Sequence, residues 1–209
     1  MKLVMISDTH DRHKALNGFM PEGDVLIHSG DLTMDGHLHK AQQSLDWLND
    51  QPYEHVVFVA GNHDFCFEHE ALKDKLNFGR LIYLEDSGVE IEGKKFWGSP
   101  VQPWFYDWAF NRQRGNEISQ HWKLIPEGTD VLITHGPPMR VLDKEPRHGE
   151  NVGCYDLARV VKKIKPKVHV FGHIHHGYGQ IEVDGVKYFN ASVCTEMYAP
   201  ENLPLVTEI

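Results

Sequence analysis

Cysteine is scarce in this chain: Cys66, Cys154 and Cys194 are the only three among 209 residues, an odd number with no C-x-x-C pair. That usage argues against a disulfide framework and a thiolate zinc site, and the thiols read as buried and inert in a reducing compartment. Long hydrophobic runs are missing as well. No apolar stretch approaches the roughly 20 residues needed to cross a bilayer. Met1 to Ile6 runs straight into Ser7, Asp8 and His10, so no apolar leader is expected. Positive charge is in deficit, with 21 Lys and Arg against 30 Asp and Glu and a formal net charge of -9. This balance disfavours a general pull towards nucleic acid or an anionic membrane, and an anionic ligand would need positive charge supplied locally. The chain is expected to be soluble and cytoplasmic, with no membrane partner and no stable nucleic-acid complex. The sequence fixes no oligomeric state.

What is present is a composition of 41% hydrophobic and 24% charged residues, suited to one globular domain spanning 1–209. The 15 histidines are unusually many. Imidazole is the commonest protein ligand for transition metals, so the excess points to a metal.

Short apolar runs recur, each ending abruptly in polar residues. Leu3 to Ile6 precedes Ser7-Asp8, Val25 to Ile27 precedes His28-Ser29-Gly30-Asp31, and Val56 to Val59 precedes Ala60-Gly61-Asn62-His63. Val131 to Ile133 precedes Thr134-His135, and Val168 to Phe171 precedes Gly172-His173. Such β-branched runs read as buried central strands. Helix-like segments lie between them at about 37–50, 67–77, 112–123 and 155–165, the last stopped by Pro166. The alternation predicts an α/β architecture with a largely parallel sheet. Glycine turns within 89–97 and 181–189 predict two hairpins, as antiparallel additions or a second sheet.

In parallel α/β sheets, sites form beyond the carboxyl ends of strands, and all five runs end there in metal-type ligands. Asp8 and His10 lie two apart, so an extended chain would aim both to one side; His173 and His175 repeat the spacing. Each pair could grip one ion or bracket two. Asp31, Asn62 and His173 each follow a glycine, which permits close backbone approach at the rim of a site. Two carboxylates, four imidazoles and one amide oxygen are too many for one tetrahedral zinc and suit two adjacent ions sharing a carboxylate. Turn-capping alone would explain single polar residues at strand ends, not this joint set. His63 should point away from the ion that Asn62 faces, with Asp64 placed to orient its ring, which suits protonation of a departing alkoxide.

The series Asp8-Thr9-His10, Gly30-Asp31, Gly61-Asn62-His63-Asp64, His135-Gly136-Pro137-Pro138 and Gly172-His173-Ile174-His175 resembles the calcineurin-like metallophosphoesterase superfamily. Each motif alone is weak; five in order, each after a strand-like run, are strong. Gly98-Ser99-Pro100, the stretch 104–111, Gly153-Cys154 and Asn190 to Cys194 extend the likeness to the metallophosphoesterase-domain-containing, class III phosphodiesterase-like branch, over nearly the whole chain. The resemblance implies a four-layer α-β-β-α sandwich of two mixed sheets. It implies Asp8, His10, Asp31 and His175 around one ion and Asp31, Asn62, His135 and His173 around the other, with Asp31 as the bridge. It also implies His63 as general acid with Asp64 behind it. The expected cofactors are two divalent or transition ions drawn from Mn, Fe, Zn, Co or Ni, with Mn supporting turnover in vitro. The expected substrate is a small phosphate ester, a phosphodiester or cyclic nucleotide, attacked by a metal-bridging hydroxide. The alternatives are a phosphomonoesterase or nucleotide pyrophosphatase, and a non-catalytic metal-binding scaffold.

His28 and His169 lie inside strand-like runs and read as structural. His37 and His39 open a helix and should face solvent. Arg12, His13, His148 and His176 fall in site-side loops and are candidates for substrate contact, or simply surface residues. The aromatic run 104–110 would either pack over the sheet or offer a wall on which a nucleobase or aryl ester stacks.

Overall fold

The structure, a computed structural model, describes all residues 1–209. The apolar runs form β1 (Lys2–Ile6), β2 (Val25–His28) and β3 (His55–Phe58), and further along β9 (Val131–Thr134) and β10 (Val168–Phe171). The remaining strands are β4 (Ile82–Tyr83), β5 (Ser87–Ile91), β6 (Lys94–Ser99), β7 (Gln102–Pro103), β8 (Asn111–Arg112), β11 (Gly179–Val183), β12 (Val186–Asn190) and β13 (Leu205–Glu208). One sheet has the order β13-β1-β2-β3-β4, parallel except for β13 at its edge. The other has the order β11-β12-β10-β9-β6-β5, with parallel inner strands and an antiparallel hairpin at each edge.

Period-2 geometry sends alternate side chains to opposite faces, and here both faces are apolar. Leu3, Met5, Val25, Ile27 and Val57 meet Val131, Ile133, Val168, Val170 and Phe189 between the two sheets. Val4, Ile6, Leu26, Val56 and Phe58 face outward under Ala41, Leu45 and Leu48 of α1 (Leu38–Asn49). On the far side, Leu132, Phe171 and Tyr188 pack beneath Ile118 and Trp122 of α4 (Asn116–Trp122) and Leu157 and Val161 of α5 (Tyr155–Ile164). The result is the expected four-layer α-β-β-α sandwich. Each fully buried aliphatic side chain contributes roughly 1.5–3 kcal/mol. A one-residue register slip would exchange the two faces of a strand, so packing on both sides fixes where each strand ends.

Both hairpins form, through Glu92-Gly93 (φ 47° and 72°) and Asp184-Gly185 (φ 52° and 81°), the paired positive φ of a type I′ turn. α5 starts where the Cys154 Sγ accepts the Leu157 N–H (3.4 Å) and ends at Lys165, φ 50°, before Pro166. The expected helix over 67–77 is two single turns, α2 (Phe65–Glu68) and α3 (Glu70–Lys73), broken at His69 (φ -95°, ψ 105°). α2 buries Cys66 and Phe67, but α3 buries nothing, so no apolar face extends the helix. The helix expected over 112–123 starts only at Asn116, because Asn111 and Arg112 pair with Gln102 and Pro103 and Gly115 turns at φ 84°. No helix is long and apolar enough to cross a membrane.

Candidate metal centre

The carboxyl ends of β1, β2 and β3 meet those of β9 and β10, and the seven predicted ligands converge there. The His175 Nε2 lies 3.2 Å from Asp8 Oδ1 and 3.2 Å from His10 Nε2. A single oxygen, Asp31 Oδ2, is 3.7 Å from His10 Nε2 and 3.4 Å from His135 Nε2. His135 Nε2 is also 2.9 Å from Asn62 Oδ1, and the His173 ring stands 5.0 Å from the His135 ring. Asp8, His10 and His175 form one group, Asp31, His135 and His173 a second, with donor atoms within 4.8 Å of one another in each.

The pairing does not arise from extended chain. Asp8 (φ 53°), His10 (φ 44°), Asp31 (φ 55°) and His173 (φ 68°) all lie in the left-handed region, and His175 opens a single helical turn. Such conformations cost on the order of 1–2 kcal/mol each for residues other than glycine and persist only where the surroundings enforce them. Here they are enforced by Asp8 N–H to Gly30 O (2.9 Å) and His10 N–H to Asp31 O (3.1 Å). The glycine reading holds at all three positions: a Cβ on Gly30, which sits at φ 106°, would strike the His135 ring and the Ala60 carbonyl. A Cβ on Gly61 would strike the Asp31 carboxylate and the His135 ring, and one on Gly172 would strike the Asp8 carboxylate and the Ser7 side chain.

Backbone carbonyls fix the orientation of three rings. His10 Nδ1 donates to Thr33 O (3.3 Å), His135 Nδ1 to Ser29 O (3.0 Å) and His175 Nδ1 to Thr195 O (2.9 Å). A carbonyl can only accept, so in the neutral ring each Nε2 presents a bare lone pair to the cluster. His10 Nε2 then faces His175 Nε2, and His135 Nε2 faces the Asn62 carbonyl oxygen, contacts that repel unless a proton or cation stands between them. The donor set and its orientation therefore fit divalent metal ions. Asp8 is anchored in turn by the His173 N–H (3.0 Å) and the Ser192 hydroxyl (2.8 Å).

Charge follows from burial and neighbours. Burial lowers His10 to about 4 and His173 to about 3, against the pull of Asp31 and Asp8. Burial also opposes a proton on His135 and on His175, but Asp31 and Asp8 outweigh it and push both to about 9. Burial would raise Asp31 and Asp8; the surrounding histidines hold both well below the usual carboxylate range. Metal binding would release the protons that His135 and His175 otherwise carry.

His63 sits beside the cluster, its Nε2 4.0 Å from Asp31 Oδ2, its ring 4.4 Å from Trp108 and 4.7 Å from His10. The expectation that Asp64 orients this ring fails, since His63 Nδ1 donates to the Met34 carbonyl at 2.6 Å. Asp64 instead accepts from the amides of Leu32 (3.1 Å), Thr33 (2.9 Å) and Gly61 (2.9 Å) and from the Thr33 hydroxyl (2.8 Å). It ties the Asp31 loop to the Asn62 loop. Burial, then Asp31, pushes its carboxyl to about 6. Its short side chain at the start of α2 turns back to those amides rather than out to the ring.

His28 and His169 are structural, as expected: both are buried, His28 Nε2 bonded to Thr9 Oγ1 (3.0 Å) and His169 Nε2 to Thr134 Oγ1 (2.9 Å). Thr134 passes its own proton to Gly136 O (2.8 Å), holding the turn beside His135. His13 is no substrate contact; it is buried against Trp47, ring to ring 5.3 Å. Arg12 and His148 point to solvent outside the central cavity, as do His37 and His39, and only His176 reaches its rim.

That cavity, about 280 Å³, exposes Asp31, Asn62, His63, His173 and His175. Phe105 and Trp108 wall it, while Ala109 and Phe110 pack in the core, so the run is divided between the cavity and the packing over the sheet. Sequence reasoning missed Glu145, Glu196 and Tyr198 in the wall. Tyr198 stands edge-on to His10 at 4.8 Å and to His175 at 5.6 Å. Its only sequence signal was its place just after the 190–194 stretch.

A sequence profile for calcineurin-like phosphoesterases matches residues 1–177. Metallophosphoesterase domain-containing protein 1 of Homo sapiens is 41% identical over 232 aligned positions, covering 100% of this chain and 71% of that protein, and the Mus musculus protein gives the same values. The fold is similar to the crystal structure of phosphopantetheinyl hydrolase (PptH) from Mycobacterium tuberculosis, with a TM-score of 0.69 at 17% identity, covering 94% of this chain and 90% of that one. By its motifs, its layers and these matches, the chain belongs to the calcineurin-like phosphoesterases, a dimetal-dependent family of phosphoric ester hydrolases.

Proposed function

We propose that the chain is a dinuclear-metal phosphodiesterase acting on small phosphodiesters, cyclic nucleotides included. The observation that carries the diester preference is the lining of the central cavity, which has Phe105, Trp108 and Tyr198, the carboxylates of Glu145 and Glu196, and no lysine or arginine. A phosphodiester carries one negative charge and a monoester up to two, so this rim repels the monoester more, while the rings favour organic groups on phosphorus.

Asp8, His10 and His175 would hold one ion, Asn62, His135 and His173 the other, and Asp31 Oδ2 faces both groups. Bound ions supply Lewis acidity, which lowers the pKa of water and neutralises charge on phosphoryl oxygens. His63 acts as general acid. Met34 O holds its Nδ1–H at 2.6 Å, so Nε2 is the nitrogen that gives a proton to the leaving oxygen, and Trp108 against the ring limits its rotation. Asp64 keeps the Asp31 and Asn62 loops in register and touches neither ring nor substrate. Mn²⁺ is the ion proposed for activity in vitro, with Fe, Zn, Co and Ni also suited to this donor set. The proposed setting is the cytoplasm, and the proposed partner is the small ester alone.

Comparing bis-p-nitrophenyl phosphate with p-nitrophenyl phosphate on Mn²⁺-loaded protein tests the preference. We expect kcat/KM at least about 10-fold higher for the diester, a difference in barrier of about 1.4 kcal/mol. Glu145→Gln with Glu196→Gln should narrow the gap. A monoester preference would overturn the diester reading in favour of a phosphomonoesterase, and turnover only of phosphoanhydrides would favour a nucleotide pyrophosphatase.

A further inference from the structure

We propose that a second cavity beside the candidate metal centre receives the organic group of the ester, and that the group it takes is a flat aromatic ring. This rests on the phosphoester reading above. The cavity, about 370 Å³, shares Phe105, His173 and Ile174 with the central one, and its other walls include Pro103, Trp104, Pro137 and Val152. The Phe105 ring lies 5.1 Å from the His173 ring, so a phosphorus held at the metal-ligating residues has its substituent next to this space. The lining apart from Arg114 is mostly apolar, which favours carbon surface over a polar group as the occupant.

Trp104 identifies the shape of the occupant. The residue is 49% exposed and lines this cavity, so part of its ring is open to a ligand there. The loop that carries it is braced. The Trp104 backbone N–H donates to Arg112 O (2.8 Å), and the Asn111 side-chain amide donates to Phe105 O (2.9 Å) and Tyr106 O (3.0 Å). Opposite, the Arg114 guanidinium donates to Val152 O (2.7 Å) and Gly153 O (2.8 Å), which fixes the far wall and leaves a planar cation at the cavity edge. Two aromatic side chains on a braced loop share this cavity with Pro137 and Val152, so a planar group would meet walls that are already ordered, at a reduced ordering cost. A flexible alkyl group would fill it poorly.

The test is equilibrium binding of phenylphosphonate and methylphosphonate, which cannot turn over, to Mn²⁺-loaded protein by calorimetry. Stacking on one aromatic side chain predicts phenylphosphonate tighter by about 10-fold. Trp104→Ala should reduce that ratio to about 2-fold or less and leave methylphosphonate affinity unchanged. Val152→Trp, which fills the cavity from the opposite side, should block phenylphosphonate alone and serves if the Trp104 variant does not fold. Equal affinities in the wild type, or a preference that survives both variants, would overturn the subsite and leave the phosphoester reading standing. Failure of both phosphonates to bind would likewise overturn the subsite, while the phosphoester reading is decided separately by turnover of bis-p-nitrophenyl phosphate.

Discussion

His169 gives the sharpest test of the packing behind the site. It lies on β10, fully buried, with Nε2 on Thr134 and Nδ1 without any partner. Burial lowers its pKa from 6.5 to about 3. Between those values the unfolded chain takes up a proton that the folded protein refuses, so the stability this neutral ring allows is present above pH 6.5 and is lost as pH falls. From pH 7 to pH 5 the linkage amounts to about 2 kcal/mol for this one group, a sizeable part of a total stability of roughly 5–15 kcal/mol. His169→Gln keeps an N–H for Thr134 and removes the titration. In urea unfolding of metal-free protein at both pH values, the wild type should lose about 2 kcal/mol more than the variant over that interval, because all other groups titrate alike in the two proteins. Parallel losses would refute the claim that His169 is held neutral by burial. His28, lowered to about 3, and His13, to about 4, push in the same direction, so the metal-free protein should be acid-labile below about pH 6.

Further outcomes follow from the same geometry. His63→Ala should slow diesters with poor leaving groups by about 100-fold or more while affecting p-nitrophenyl esters far less, and equal losses would remove the general-acid role. Ser192→Ala deletes the 2.8 Å bond to Asp8 and should weaken Mn²⁺ binding about 10-fold, read by calorimetry, with little change in unfolding free energy. Asp64→Asn puts an amide NH₂ against amide donors and should cost about 2–4 kcal/mol in unfolding free energy without altering leaving-group dependence. A changed leaving-group dependence with intact stability would return Asp64 to a role in orienting His63.

The central strands and the residues at their ends were legible because two simple constraints overlap there. Strands buried on both faces must be continuously apolar, so Val25 to Ile27 and Val131 to Ile133 announce themselves, and a polar residue that follows at once must lie at the rim. The two hairpins were legible from Glu92-Gly93 and Asp184-Gly185, whose backbone demands are local. The left-handed backbone at Asp8, His10, Asp31 and His173 was not, because it is set by bonds to loops distant in sequence, such as Asp8 to Gly30. Asp64 misled for a similar reason: its neighbour in sequence is His63, but its partners are Leu32, Thr33 and Gly61. Glu145, Glu196 and Tyr198 carry no pattern of their own, and only the folding of their loops over the strand ends brings them to the cavity.

The claim on which the chemistry depends is that Asp31 would be shared by two ions, each held by residues from both sheets. Electron paramagnetic resonance of Mn²⁺-titrated protein tests it most directly, since two ions sharing one carboxylate roughly 3.5–4 Å apart are magnetically coupled. The account predicts two Mn²⁺ bound per chain with a coupled spectrum that Asp31→Asn abolishes. A single uncoupled ion at saturation, or no bound ion, would contradict it.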